Sequence, residues 1–417
     1  MSIRTFEIPA VPKERWDQLR KKLAEAVYPS ELDKDVGWRY GVPSWAIKPV
    51  VKTWLDEYDW ETARVEMNRW HHYQTTIEDI AIHFIHEPSK DPNAVPLLLL
   101  NGWPSTFYEY HKVIEALRDG GSTDGQAFHV VIPSMPGYGF SEAPKQPGCG
   151  LAKVAQIMNE LMMRLGYNKY CLHGSDWGAV IGKYIAIRHD DNCKGFHTIM
   201  PMFVPPVPSI ANFMSRPMAV AKYCASMLIG NDMVYGADKV KTIGRGFADI
   251  DNNEDAGYRA IQATRPYTLS YALTDSPVGL LAWILDKFHH WTYYESGNKD
   301  EAILPESISM NELLTQVMIY WLTGNMASSA RLYHEVYHDP AFHVIVSTTP
   351  VRIPVAVGVF REEITAVPRE WVEATANVQQ WSEFEMGGHF PALEVSELFI
   401  NDIQKFGRML QSNDSFE

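Results

Sequence analysis

The run Cys171-Leu172-His173-Gly174-Ser175-Asp176-Trp177-Gly178-Ala179-Val180 decides how this chain is read. It opens on strand-like apolar residues, and Val180-Ile181-Gly182-Lys183-Tyr184-Ile185-Ala186 continues it as a helix. Between the two, Gly174 and Gly178 flank Asp176. That is the pattern of a nucleophile elbow, a tight strand-to-helix turn that lifts one reactive side chain above an α/β sheet. Small residues are required because the bend brings backbones close together. The usual occupant of the apex is serine. Here it is aspartate, whose carboxylate is ionised at neutral pH and attacks without a base to activate it. Attack on a carbon centre by displacement leaves an ester on the aspartate itself. Ser175 is not a rival nucleophile, because His173 and Trp177 occupy the positions where a serine elbow needs glycine.

Working outward, the strands and helices alternate. Ile80 to His86 and Ala94 to Leu100 read as strands, the second ending in Asn101-Gly102-Trp103-Pro104. Phe128 to Ile132 is a third strand, followed by a helix over Leu151 to Leu165 and then the elbow strand. Such alternation predicts a largely parallel sheet. From about Met202 the pattern changes: Pro205, Pro206 and Pro208 break it, and Met- and aromatic-rich helical segments run to about Tyr337. Strand character resumes at Val351 to Phe360. The expected organisation is therefore an α/β core over residues 79–204 and 338–417, a helical lid over 205–337, and an N-terminal leader over 1–78 packed on the core. In the leader, Trp16, Leu19, Leu23 and Val27 fall at helical spacing, and Pro29 closes the segment.

The 417 residues are 46% hydrophobic, ample for a large core. The net charge of −14 argues against nucleic acid or an anionic membrane as a partner. Four cysteines in so long a chain, with no metal-type spacing, imply a reducing compartment, the cytoplasm. The start has no apolar signal-peptide region, and no apolar run approaches the ~20 residues that span a bilayer. No dinucleotide or phosphate loop and no metal-ligand cluster is present, so the expectation is chemistry without a cofactor or metal.

An aspartate ester is productive only if it is hydrolysed, which needs a histidine to activate water and an acid to orient it. On this scaffold the order along the chain is nucleophile, acid, histidine. Gly387-Gly388-His389-Phe390 lies late in the chain, and its two glycines make a mobile turn that can present an imidazole. A lone histidine after Gly-Gly is ordinarily a loop residue; its place after the last predicted strand makes it the candidate base. Phe360-Arg361-Glu362-Glu363 follows the preceding strand, so one of its two glutamates is the acid, and periodicity does not choose between them. The ester carbonyl becomes an oxyanion during hydrolysis and needs backbone N–H donors. These are expected from Trp177, directly after the nucleophile, and from Trp103 in the loop after the first long strand. Trp103 and Trp177 are also the expected substrate contacts, and Trp103-Pro104 is a candidate for a cis peptide.

These residues resemble the microsomal-type epoxide hydrolases of the α/β-hydrolase superfamily, especially the shorter fungal forms. The resemblance covers nearly the whole chain: Trp38-Arg39-Tyr40-Gly41-Val42-Pro43, Tyr58-Asp59-Trp60, Ile82-His83-Phe84-Ile85-His86, the elbow, Asp275-Ser276-Pro277-Val278-Gly279-Leu280-Leu281-Ala282-Trp283-Ile284, Phe360-Arg361-Glu362-Glu363, Val367-Pro368-Arg369-Glu370-Trp371 and Gly387-Gly388-His389-Phe390. It implies Asp176 as nucleophile, His389 as base and Glu363, rather than Glu362, as the acid. It also implies two lid tyrosines that hold the epoxide oxygen, Tyr258 and Tyr333, which spacing alone does not single out. Asn101 departs from the family's usual histidine at that position. The membrane anchor of the animal enzymes has no counterpart, which implies a soluble protein; a homodimer is the family expectation. The implied partners are an apolar epoxide and water.

Three other functions fit parts of the pattern. A haloalkane dehalogenase uses the same aspartate ester but needs halide donors rather than lid tyrosines. A biosynthetic cyclase opens an epoxide with an internal hydroxyl. A non-catalytic receptor of the same fold only binds an apolar ligand, and an intact nucleophile, acid and base argue against it.

Overall fold

A computed structural model describes residues 2–121, 125–237, 239–241 and 256–412. Residues 242–255 of the expected lid lie outside the described residues. Nine strands form one sheet in the order β1-β2-β3-β5-β4-β6-β7-β8-β9. They are β1 (Arg4–Phe6), β2 (His72–Ile77), β3 (Ile80–Glu87), β4 (Val95–Leu100), β5 (Phe128–Pro133), β6 (Tyr170–Gly174), β7 (Cys193–Thr198), β8 (Val351–Val359) and β9 (Ala376–Glu383). From β5 through β4, β6, β7 and β8 to β9 the pairing is parallel. The strands β1, β2 and β3 pair antiparallel at one edge. The mostly parallel α/β sheet read from the sequence is thus observed. Its central strands are near-continuous apolar runs, as Val95-Pro96-Leu97-Leu98-Leu99-Leu100 shows, because helices cover both faces.

The N-terminal segment does more than pack on this core, since it supplies β1 and β2 to the sheet. Its first helix spans Lys13–Ala24 and buries Leu19 and Leu23. Val27, expected on the same stripe, lies beyond the helix end and is 94% exposed. The helix has already ended at Ala24, so this last position of the stripe falls in the loop before Pro29. Between β7 and β8 the described chain is helical, from Ile210–Ser215 to Phe342–Ile345.

The site is placed by the bend after β6. Leu100 at the end of β4 is in register with Gly174 at the end of β6. The helix Trp177–Arg188 then crosses back over the sheet. A side chain on Gly174 would overlap the Gly178 carbonyl, and one on Gly178 would overlap the Leu100 carbonyl. The two glycines therefore let this helix start directly against β4. Gly178→Ala is expected to lower the unfolding free energy by about 2–3 kcal/mol through overpacking. The check is a lower urea midpoint at unchanged slope.

Candidate active site

Every sequence-predicted site residue on the core lies at the carboxyl ends of the parallel strands, where open α/β sheets form their binding crevices. Asp176 follows β6, Trp103 follows β4, Glu363 follows β8 and His389 follows β9. Asp176 has φ +49° and ψ −125°. A non-glycine residue in that region is strained by roughly 1–3 kcal/mol and persists only where its surroundings fix it.

The surroundings here are specific. Asp176 Oδ1 accepts a 2.7 Å hydrogen bond from the Trp103 N–H. A side chain on Gly102 would overlap this carboxylate and crowd the Trp177 N–H, so the missing Cβ leaves the space in which both lie. Trp103-Pro104 is a cis peptide. Asn101 braces the same loop: its Nδ2 donates to the Gly102 carbonyl at 3.1 Å and to Ser105 Oγ at 3.2 Å. Ser105 Oγ in turn donates to the buried Glu109, which burial pushes up to about 7 against that hydrogen bond.

On the other side of Asp176, His389 Nε2 stands 3.5 Å from Oδ2, long for a well-formed hydrogen bond. His389 Nδ1 donates to Glu363 at 2.9 Å, and both side chains are 1% exposed. Glu362 is turned toward solvent beside Arg361, with 41% of its side chain exposed. The structure therefore brings Glu363, and not its neighbour, to the imidazole. Burial works against a charged His389, but the Glu363 charge and the contacts with Asp176 outweigh it, and the imidazole is held protonated well above its usual range.

Tyr258 and Tyr333 line the same cavity as Asp176. Tyr258 comes from the helix Ala256–Thr264 and Tyr333 from Met326–His338. The Tyr258 ring stacks on Trp103 at 5.2 Å, and Tyr333 meets Trp177 edge-on at 4.7 Å. Burial first, and the nearby Asp176 charge second, push the Tyr258 phenol up. Burial, Tyr258 and Asp176 do the same to Tyr333. Both therefore remain O–H donors. Asp176, Trp177, Tyr258 and Tyr333 share a cavity with Met202 and Phe342 that holds about 370 Å³ of atom-free space, partly open to solvent. The Trp103 indole is fully buried and packs against Tyr258 and Trp291.

Three residues of this site went unread in the sequence. Trp291 packs edge-on against the His389 ring at 5.1 Å, and its carbonyl accepts the His389 N–H at 2.8 Å. Glu394 accepts the Phe390 N–H at 2.9 Å and the Tyr293 N–H at 2.7 Å. The glycine turn expected to be mobile is thus pinned on both sides. Lys287 lies against the ring of Tyr258. A signal existed for Glu394 alone: a carboxylate one turn past Phe390 can reach back to free N–H groups at a helix start.

The arrangement offers a nucleophile, two phenol donors, a backbone N–H on the nucleophile and an acid-oriented imidazole. Comparison with known proteins gives the family and the fold. Residues 3–110 match the model described as epoxide hydrolase N terminus, and residues 95–331 match the alpha/beta hydrolase fold. The chain is 34% identical to epoxide hydrolase 1 of Sus scrofa over 98% of its length and 89% of the relative's. The crystal structure of juvenile hormone epoxide hydrolase from Bombyx mori superposes with a TM-score of 0.85 at 30% identity, covering 99% of this chain and 96% of that one. The Aspergillus niger epoxide hydrolase gives 0.77 at 26% identity, covering 98% and 97%.

A titration tests the electrostatics directly. Glu363→Gln removes a charge that raises His389, so its pKa, followed by ¹⁵N-histidine NMR, is expected to fall by more than one unit; Glu362→Gln is expected to leave it in place. The sign for stability follows from the raised pKa. The contribution of the charged imidazole is complete below the unfolded value of 6.5 and is lost as pH rises through the folded pKa. Glu363→Gln is therefore expected to flatten the decline of urea stability on the alkaline side.

Proposed function

The chain belongs to the epoxide hydrolase family of the α/β-hydrolase superfamily, and from that premise we propose how its residues divide the work. The reaction is conversion of an apolar epoxide to a vicinal diol through a covalent Asp176 ester. The single observation that carries the reading is one carboxylate held by a backbone N–H, facing an imidazole and sharing its cavity with two phenol rings. Asp176 Oδ attacks a ring carbon; the C–O bond breaks with its electron pair passing to the ring oxygen. Tyr258 and Tyr333 hold that oxygen, and one of them gives it a proton.

Alkylation then changes the electrostatics. The ester has lost the negative charge of Asp176, one of the influences that hold His389 protonated. Its imidazole can now release its proton to solvent and act as base on water, oriented by Glu363. The hydroxide adds to the Asp176 carbonyl carbon. Charge on that carbonyl oxygen is met by the Trp103 N–H, already 2.7 Å from Oδ1, and by the Trp177 N–H. Collapse frees the diol and restores the carboxylate.

The apolar cavity wall favours an apolar epoxide. Of the rival functions, dehalogenation, cyclisation and simple binding are not favoured. No helix among the described residues is long and apolar enough to cross a membrane. We further propose a cytoplasmic location, which the four free cysteines support, and a homodimer, a family expectation that sedimentation will test.

The experiment is a single turnover in ¹⁸O water with excess enzyme. The first diol is expected to carry unlabelled oxygen from the enzyme, with label appearing in Asp176; label in the first diol refutes the covalent route. Asp176→Asn is expected to abolish ester formation. His389→Gln is expected to trap the ester, slowing its hydrolysis by at least about 10³-fold while leaving alkylation measurable.

A further inference from the structure

The helix Pro277–His290 ends beside the aromatic layer of the site. Lys287, in its last turn, is only 5% exposed. Its Nζ lies 4.7 Å from the centroid of the Tyr258 ring and 5.4 Å from that of Trp291. Asp286 Oδ2 is 2.7 Å from the same Nζ and supplies the counter-charge that a buried ammonium needs. Asp286 keeps about a quarter of its side chain in solvent and also faces His290 Nδ1 at 3.5 Å. The anion of the pair is thus the partly hydrated member, and the cation is the one pressed on the rings. Lysine stems usually carry their charge out to water. An ammonium held inward over two rings, one of them the Tyr258 phenol that shares a cavity with Asp176, calls for a role beyond packing.

We propose that Lys287 is a positioning residue whose charge, set over the Tyr258 ring, assists that phenol in protonating the epoxide oxygen. The inference rests on the reading of Asp176 and Tyr258 above. In ring opening, the bond from Asp176 Oδ to carbon forms and the carbon–oxygen bond of the ring breaks, its electron pair going to the oxygen. The Tyr258 proton moves to that oxygen, and the O–H electron pair stays on Tyr258 and spreads into its ring. The phenolate takes up a proton from solvent, balancing the one His389 releases, before the next turnover. A cation over a ring face attracts a phenolate more strongly than a phenol. Lys287 therefore stabilises the transition state more than the ground state, which is the condition for raising a rate. Trp291 offers the ammonium a second ring, fixing it without adding a competing charge. Hydrolysis of the ester does not use Tyr258, so Lys287 acts on the first half-reaction alone.

The test is rapid-quench kinetics with styrene oxide and excess enzyme, measuring formation and decay of the Asp176 ester separately. Lys287→Met is expected to slow ester formation about tenfold and to leave ester hydrolysis within twofold of wild type. In a Tyr258→Phe background, where Tyr333 remains, the same substitution is expected to change ester formation by less than twofold. Lys287→Arg, which keeps a cation over the ring, is expected to retain more than half the rate. Equal slowing of both steps, or tenfold slowing that survives in the Tyr258→Phe background, overturns the proposal and leaves a structural role. If Lys287→Met does not fold, Lys287→Gln carries the same comparison. Tyr258→Phe alone leaving ester formation unchanged sinks the assignment of Tyr258, and no ester in the wild-type enzyme sinks that of Asp176; the source of a failure is therefore distinguishable.

Discussion

The hydrogen bond from the Trp103 N–H to Asp176 Oδ1 joins the two halves of the site. It can form only because Gly102 has no side chain and because the chain turns after Gly174 with Asp176 at positive φ. Both conditions are steric, and both are met by backbone held in register: Leu100 pairs with Gly174, and the Ser175 N–H donates to the Leu100 carbonyl at 3.0 Å. The strain at Asp176 is offset by this packing. The result is a carboxylate whose one oxygen is fixed by backbone while the other faces His389. A carboxylate on a flexible loop would have no preferred oxygen for attack and none for the developing oxyanion.

Around that carboxylate the charges are arranged to respond to its chemical state. His389 lies between Asp176 and Glu363, two acids that both favour its protonated form. In the proposed cycle the first step cancels one of them, so the imidazole becomes a base only once there is an ester to hydrolyse. Two further buried acids, Glu109 and Glu394, are each pushed up to about 7, with burial the largest cause. Glu394 spends its oxygens on the Phe390 and Tyr293 N–H groups and so fixes the turn that carries His389. Glu109 takes the Ser105 hydroxyl and steadies the loop that carries Trp103.

How much of this was legible in the sequence follows from the range of each constraint. Asp176 was legible because the elbow is a local steric demand, written within five residues. The central strands were legible because burial on both faces requires apolar runs. The strand Ala376–Glu383 was not, since Ala376-Asn377-Val378-Gln379-Gln380-Trp381-Ser382-Glu383 sits at the sheet edge and is largely wet. Glu362 and Glu363 are neighbours in one turn, and only the tertiary contact with His389 separates them. Tyr258 and Tyr333 lie 75 positions apart on two helices; resemblance named them where periodicity had nothing to offer. Trp291 packs on His389, and Lys287 on Tyr258, through ring faces that leave no trace in spacing.

The same long-range logic gives the N-terminal segment its purpose. Trp38 lies flat on the His289 ring at 3.5 Å and meets His290 edge-on. It therefore braces the last turn of the helix that carries Lys287 and leads into Trp291. Those two residues in turn back Tyr258 and the His389 turn. The leader thereby supports the surface on which Tyr258 and His389 are packed. Side chains must be fixed to within a fraction of an ångström for such chemistry, and rigid support behind the first layer is what achieves it. A leader that supplies both a sheet edge and this aromatic buttress is part of the site's architecture, because Trp38 closes one face of the His289 ring while Tyr294 holds its Nδ1.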